Sequence, residues 1–152
     1  MTVARMPSNT PRAVGGAELP TQIECDVYAP CALGGTLDES TIRGLRCRIV
    51  AGAANNQLAT PEDADRLAAR GIVYAPDFVI NAGGILHGGG LEEQHWTRQV
   101  LDAKLQGIGD ALSDIFQRAE REGISTDTAA RQIAVARIKS KAAETQALRA
   151  RI

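Results

Sequence analysis

Three short stretches of this 152-residue chain are rich in small side chains, and two of them carry asparagine amides, a pattern able to hold a flat polar ligand. They are Cys25-Asp26-Val27-Tyr28-Ala29-Pro30-Cys31-Ala32-Leu33-Gly34, Ala51-Gly52-Ala53-Ala54-Asn55-Asn56-Gln57-Leu58 and Tyr74-Ala75-Pro76-Asp77-Phe78-Val79-Ile80-Asn81-Ala82-Gly83-Gly84. Each begins on or just after a predicted strand. In open parallel sheets ligands sit beyond the carboxyl ends of the strands, where Ala32, Gly34, Ala53, Ala54, Gly83 and Gly84 let the backbone approach closely. Asn55 and Asn81 each offer a donor and an acceptor. Taken alone, Asn55 and Asn56 read equally as caps of a turn, and Asn81 as a cap on the helix that follows. Asp26 and Asp77, at strand ends, read either as direct participants or as turn caps.

Other chemistry is thinly represented. There is no GxGxxG and no GxxxxGK[ST], since Gly88-Gly89-Gly90 runs into Leu91. The two histidines, His87 and His95, have no carboxylate or cysteine at metal-ligand spacing, so each reads as a surface or hydrogen-bonded side chain and no metal is expected. Cys25, Cys31 and Cys47 are an odd set without a CxxC pair, which implies neither a disulfide framework nor a zinc site. Cys31 has no base near it in sequence and reads as a small packing residue.

The elements that must position these stretches follow from short-range signals. Cys25 to Ala29 is a largely apolar run stopped by Pro30, the pattern of a buried parallel strand. One helical turn is expected over Ser40 to Gly44, and a second strand over Cys47 to Gly52. Thr60-Pro61-Glu62-Asp63 predicts a helix start with Thr60 as N-cap, and Gly71 a left-handed stop. Ile72-Val73-Tyr74 then follows as a third strand. Strand, helix, strand at this spacing is a crossover unit and demands a parallel sheet. Past the glycine-rich patch of Gly83, Gly84, Gly88, Gly89 and Gly90, the residues Leu101, Leu105, Ile108, Leu112, Ile115, Phe116 and Ala119 form one apolar helical stripe closed by Gly123. A second helix is expected from Thr126-Asp127, with Ala130, Ile133, Ala134 and Ile138 on one face. Residues 1–22, rich in Pro, Gly, Ser and Thr, read as a poorly ordered lead-in, and 139–152 as a charged helical tail.

The composition bounds what such a chain can be. Seventeen basic against eighteen acidic residues leave a formal charge of -1, which argues against a nucleic-acid partner. No window reaches the roughly 18–20 apolar residues of a membrane helix, and Met1 to Arg12 lack the apolar run of a secretory signal. The expectation is a single cytoplasmic domain with free thiols.

The three stretches, in this order and spacing, resemble the nucleotide-binding domain of the leucine, phenylalanine and valine dehydrogenases, relatives of glutamate dehydrogenase. The resemblance spans about Ile23 to Ile138. It implies an α/β fold: the second half of a Rossmann-type parallel sheet followed by two long C-terminal helices, with residues 23–138 as a partial NAD-binding domain. It implies NAD as cofactor, with Asn55, Asn81 and, through its backbone, Ala32 on the nicotinamide side. Their amides match the carboxamide of the ring. Ile85 and Gly88 fall where the family lines the substrate side-chain pocket. Gly88 departs from the family, which usually has a larger aliphatic residue there. The lost bulk would widen the pocket and shift discrimination by only about 1–3 kcal/mol.

The implied reaction is reversible oxidative deamination of a branched-chain or aromatic L-amino acid to a 2-oxo acid and ammonia. Nothing here matches the family's catalytic lysines and aspartate, or the first half of its nucleotide fold, so no catalytic residue is assigned. The expectation is therefore the C-terminal part of such an enzyme, with weak cofactor binding, no turnover alone and an exposed sheet edge. A truncated gene, a frameshift, a late start codon or a real short protein would each account for it. The alternatives are a non-catalytic module that docks on an intact dehydrogenase subunit through its two terminal helices, or a decayed gene product. A homo-oligomer, or association with a full-length subunit, is the expected partnership besides the small-molecule substrate.

Overall fold

A computed structural model describes residues 23–149 of the chain. The expected lead-in over residues 1–22 lies outside the described residues. Three parallel strands, β1 (Val27–Tyr28), β2 (Ile49–Val50) and β3 (Val73–Tyr74), form one sheet in sequential order. Between them lie α1 (Glu39–Gly44) and α2 (Glu62–Ala69), and after β3 come α3 (Asp77–Ile80), α4 (Gly83–Gly88) and a π-helical turn (Gly89–Glu93). Two long helices, α5 (Arg98–Glu122) and α6 (Thr126–Arg149), complete the chain. The half-Rossmann sheet with two terminal helices is the observed architecture.

Local chemistry explains most element boundaries. Asp38 caps α1 by accepting from the Thr41 N–H at 2.7 Å. The start of α2 differs from the Thr60 N-cap expected from sequence. The cap bond runs the other way: Oδ2 of buried Asp63 accepts from the Thr60 N–H at 2.8 Å and from its hydroxyl at 3.1 Å. An acid three residues in reaches back to an unpaired donor, as in the second half of a capping box. Arg70, at the end of α2, donates to the carbonyls of Ile42 and Leu45 and so ties α2 to the end of α1. Gly71 and Gly123 stop their helices with φ of 68° and 65°.

The register sets Val27, Ile49 and Val73 in one row and Tyr28, Val50 and Tyr74 in the next. Because side chains alternate across a strand, the two rows face opposite ways. Val50 and Tyr74 join Leu37, Ile42, Leu45, Leu67 and Ile72 in the main core, with Tyr28 packed against it. The other row is open at 39%, 37% and 42% exposure. The expectation of a strand buried on both faces is thus corrected. The helices that follow β1 and β2 contribute Ile42 and Leu67 to the core on one face, and the other stays more than a third exposed.

A second cluster joins Ile115 and Ala119 of α5 to Ala129 and Ala130 of α6, with Phe116, Ile124, Ile133 and Val79 packed on it. The α5 stripe is buried or half-buried as its spacing predicts. The α6 face departs beyond Ile133, since Ala134 and Ile138 are exposed. Its packing against α5 uses only its first turns. The glycine-rich patch also departs from expectation: residues 83–93 are helical, first α4 and then the π turn.

The tightest point of the fold lies where β1 and β2 end. A β-carbon on Gly52 would sit 2.1 Å from the Pro30 carbonyl oxygen and 2.5 Å from its nitrogen, both backbone atoms that cannot swing away. Gly52→Ala is therefore expected to destabilise the chain by about 3 kcal/mol, the upper end of overpacking. Urea unfolding followed by circular dichroism measures it, and an unchanged midpoint would refute the close approach.

Candidate functional site

The loops leaving the three strands are laced together by backbone bonds. Pro30 O accepts from Ala54 N–H at 3.0 Å, Asn56 O from Gly35 N–H at 2.6 Å, and Gln57 O from Leu37 N–H at 3.0 Å. A β-carbon on Gly34 would meet the Asn55 carbonyl at 2.6 Å, so the two loops touch with no side chain between them. The Ala53 N–H also points at Cys31 Sγ, 3.4 Å away. Ala32, next to Cys31, is exposed on the loop after β1. All three cysteines are free.

Asn56 takes a left-handed conformation, φ 51°, which asparagine tolerates better than most residues. That turn sends Asn55 outward and Gln57 inward. Gln57 is fully buried, and its amide nitrogen donates to the carbonyls of Gly52 and Ala54 at 2.8 and 2.9 Å. Its backbone N–H donates to Asp77 Oδ2 at 3.2 Å, while the Tyr74 hydroxyl donates to Asp77 Oδ1 at 3.2 Å. Asp77 is thus a buried tie between the β2 and β3 loops, which decides between its two readings in favour of the turn-binding one. Burial, and then the Asp77 charge, push the Tyr74 hydroxyl far above its ordinary titration range. The β3 end is pinned once more by Thr126, whose hydroxyl donates to Tyr74 O at 2.6 Å.

On this frame Asn55 and Asn81 meet directly. Asn81 Nδ2 donates to Asn55 Oδ1 at 2.5 Å, across 26 residues of sequence. The capping readings do not apply to their side chains: Asn55 reaches Asn81 rather than its own turn, and α4 starts after Ala82 without a side-chain cap. The pair leaves Asn55 Nδ2 as a donor and Asn81 Oδ1 as an acceptor with no partner among the described residues, close to solvent at the strand tips. That is the complement of a carboxamide, so the residues fit the nicotinamide end of the expected cofactor.

Ile85 and Gly88 lie on α4, two turns or less beyond Asn81, with Ile85 79% exposed. The structure therefore joins Asn55 to Asn81, sets Ala32 on the adjoining loop, and places Ile85 and Gly88 on the next element. Asp26 stays exposed outside this network. Gln57, Tyr74 and the tie they make to Asp77 escaped sequence reasoning as a unit. The available signal was Gln57 itself, a longer amide set between Asn56 and apolar Leu58. Among the described residues no group of three or more His, Cys, Asp or Glu could hold a metal, and no helix is long and apolar enough to cross a membrane. A hollow of about 1100 Å³ between α2 and the α5–α6 junction is lined by none of the five residues. The strand tips, with their convergent polar groups, are the better candidate, because hollow size alone carries no chemistry.

The glutamate/leucine/phenylalanine/valine dehydrogenase family matches residues 1–146. The leucine dehydrogenase of Thermoactinomyces intermedius is 44% identical over 117 residues, 77% of this chain and 32% of that one. The valine dehydrogenase of Streptomyces coelicolor is 46% identical over 114 residues, 74% of this chain and 31% of that one. Among solved structures, L-tryptophan dehydrogenase from Nostoc punctiforme superposes with a TM-score of 0.74 at 40% identity, covering 79% of this chain and 36% of that one. The chain spans about a third of the length of these relatives.

Two outcomes test the buried tie. Asp77→Ala strands the Gln57 N–H and the Tyr74 hydroxyl, and is expected to cost about 2–3 kcal/mol in denaturant unfolding. Tyr74 keeps its proton in the fold to higher pH than in the unfolded chain. Its contribution is therefore complete below the ordinary tyrosine value of 10.0 and is lost as pH rises above it. Smaller upward shifts at Tyr28, Cys25 and Cys47 add to this alkaline loss. Tyr74→Phe should flatten most of the decline in a pH series of unfolding curves, and an equally steep decline would refute the assignment.

Proposed function

The chain belongs to the glutamate/leucine/phenylalanine/valine dehydrogenase family, and from that premise we propose that the Asn55–Asn81 pair is the nicotinamide floor of an NAD-dependent L-amino-acid dehydrogenase. The reaction is the reversible oxidative deamination of a branched-chain or aromatic amino acid to a 2-oxo acid and ammonia, carried out where this part of the protein works with the family's acid–base groups. NAD, when bound, supplies the hydride acceptor. The observation that carries the reading is the 2.5 Å bond joining the two amides. It consumes one donor and one acceptor and leaves Asn55 Nδ2 and Asn81 Oδ1 for a ligand.

Each residue then has a definite task. Asn55 donates to, and Asn81 accepts from, the ring carboxamide, which selects the face presented to substrate. The backbone at Ala32 lies against the same ring, and the small residues around it admit the flat group. Ile85 and Gly88 border the substrate side chain, where the missing side chain at Gly88 leaves room for either an aliphatic or an aromatic group. None of these groups titrates near neutral pH, so they orient and shield, and proton transfer falls to other groups of the family's site. The setting is cytoplasmic, and the working form associates with itself or with a full-length subunit.

A second reading, a non-catalytic module that docks on an intact dehydrogenase subunit, draws support from the open row of Val27, Ile49 and Val73. Size-exclusion chromatography with and without full-length leucine dehydrogenase, set beside NADH binding by the chain itself, separates the two: a stable mixed complex formed by a chain that does not bind NADH supports docking.

The nicotinamide reading predicts that NADH binds the purified chain weakly, as read by cofactor fluorescence, and that ADP-ribose does not compete. Asn55→Ala or Asn81→Ala should weaken that binding by about tenfold, the scale of one well-placed hydrogen bond. Binding indifferent to both substitutions would overturn the roles given to them. Oxidation of L-leucine or L-phenylalanine by the chain alone at an ordinary enzymatic rate would overturn the division of labour.

A further inference from the structure

Resting on the pocket reading above, we infer that Trp96 is a positioning residue: its indole, seated on Gly90, holds α4 in place as the wall of the substrate pocket. The reason lies in how little else holds that helix. Five of residues 83–90 are glycine, the poorest helix former after proline, and no residue of α4 is buried. An isolated six-residue helix of this composition does not persist, because short helices depend on tertiary packing. Its position must come from tertiary contacts with α5 and the π turn.

Those contacts are visible. At the front, Gly83 lies close to Leu105 of α5, whose δ-methyl would be 3.7 Å from an added β-carbon. Behind it, the π turn closes on Trp96. The Trp96 N–H donates to Gly90 O at 2.8 Å, and the ring covers Gly90 so closely that a β-carbon there would fall 2.4 Å from Cε3. Gly90 is the one buried residue of that turn. The same indole carries the ammonium of Lys104, 5.6 Å from its ring centroid, and so reaches α5. Backbone bond, ring and cation together fasten the far end of α4 to the long helix. The wider π-helical turn gives the chain room to bring Trp96 back over Gly90. Ile85 and Gly88, two and five residues beyond Gly83, are suspended between the two anchors.

The test uses the full chain, in which Trp96 is the sole tryptophan. Amide hydrogen exchange is compared for the unaltered protein, Trp96→Ala, Trp96→Phe and Gly90→Ala. Trp96→Ala should speed exchange of the amides of residues 86–93 by about tenfold or more, with α2 and the start of α6 unchanged. Trp96→Phe, which keeps a ring over Gly90, should restore most of the protection. Gly90→Ala, which evicts the indole without removing it, should reproduce the loss and shift the tryptophan emission to the red, and it keeps the test decisive if Trp96→Ala does not fold. Slow exchange retained in residues 86–93 in both Trp96→Ala and Gly90→Ala, or a loss spread evenly over the chain, overturns the inference. Failure of the unaltered chain to bind NADH sinks the nicotinamide reading alone and leaves the exchange result standing.

Discussion

The contact on which the site depends is the meeting of Pro30 and Gly52, where the ends of β1 and β2 approach with no space for a side chain. Everything downstream is arranged by it. With the strands this close, Ala54 N–H can reach Pro30 O, and the loop beyond runs alongside the loop after β1 as far as Gln57. Gln57 then turns inward and binds the carbonyls of Gly52 and Ala54, sealing the loop from beneath. Its backbone reaches Asp77 and brings in the third strand. Only after these steps do Asn55 and Asn81 stand within bonding distance. A hydrogen bond between two solvent-facing amides is worth on the order of 1 kcal/mol or less, too little to organise three loops. The amide pair is therefore a result of the buried scaffold behind it, and the rigidity of that scaffold is what makes its geometry useful.

Much of this was legible in sequence, for identifiable reasons. The parallel sheet followed from strand, helix and strand at crossover spacing, and the two long helices from a 3.6-residue stripe and a left-handed glycine stop. Asn55 and Asn81 were singled out by the family resemblance of the stretches that carry them, since their residue types alone also read as turn caps. What the chain hides is mostly reciprocal. Asp63 rather than Thr60 supplies the cap oxygen of α2, since both members of a capping pair carry suitable groups and sequence order does not say which accepts. The bond between Asn55 and Asn81 is likewise a relation between loops 26 residues apart. The tie of Gln57 and Tyr74 to Asp77 is of the same kind.

Two errors of expectation share another cause. A run such as Cys25 to Ala29 looks buried on both faces because its residues are apolar, yet burial depends on what covers each face. Core-forming Ile42 and Leu67, from the helices after β1 and β2, lie on one side, as right-handed crossovers of the same sense require. The row of Val27, Ile49 and Val73 consequently stays open among the described residues. The glycines of 83–90 read as a break before the long helix for the mirror-image reason: their propensity opposes helix, and the ring of Trp96 that overrides it is invisible until the chain has folded. In both places tertiary contacts decide, in one by their absence and in the other by their presence.

The parts of the proposed site thus differ in how firmly they are determined, and the difference matches the tasks proposed for them. The floor is built from backbone atoms packed without side chains between them, an arrangement with little freedom to adjust. The wall on α4 hangs between two anchors and can yield. Orientation of a planar ring demands fixed donors and acceptors, because a hydrogen bond loses strength steeply with angle. A side-chain pocket instead discriminates by volume, at about 1–3 kcal/mol for a methylene or two, and a wall that can move blunts even that. Two amide bonds at roughly 1 kcal/mol each supply only about half of the ~4 kcal/mol of a millimolar complex, so the strand tips by themselves bind a cofactor weakly. The strand tips are consequently suited to setting the direction of a cofactor ring, while the affinity that holds the rest of the cofactor must come from surface beyond them.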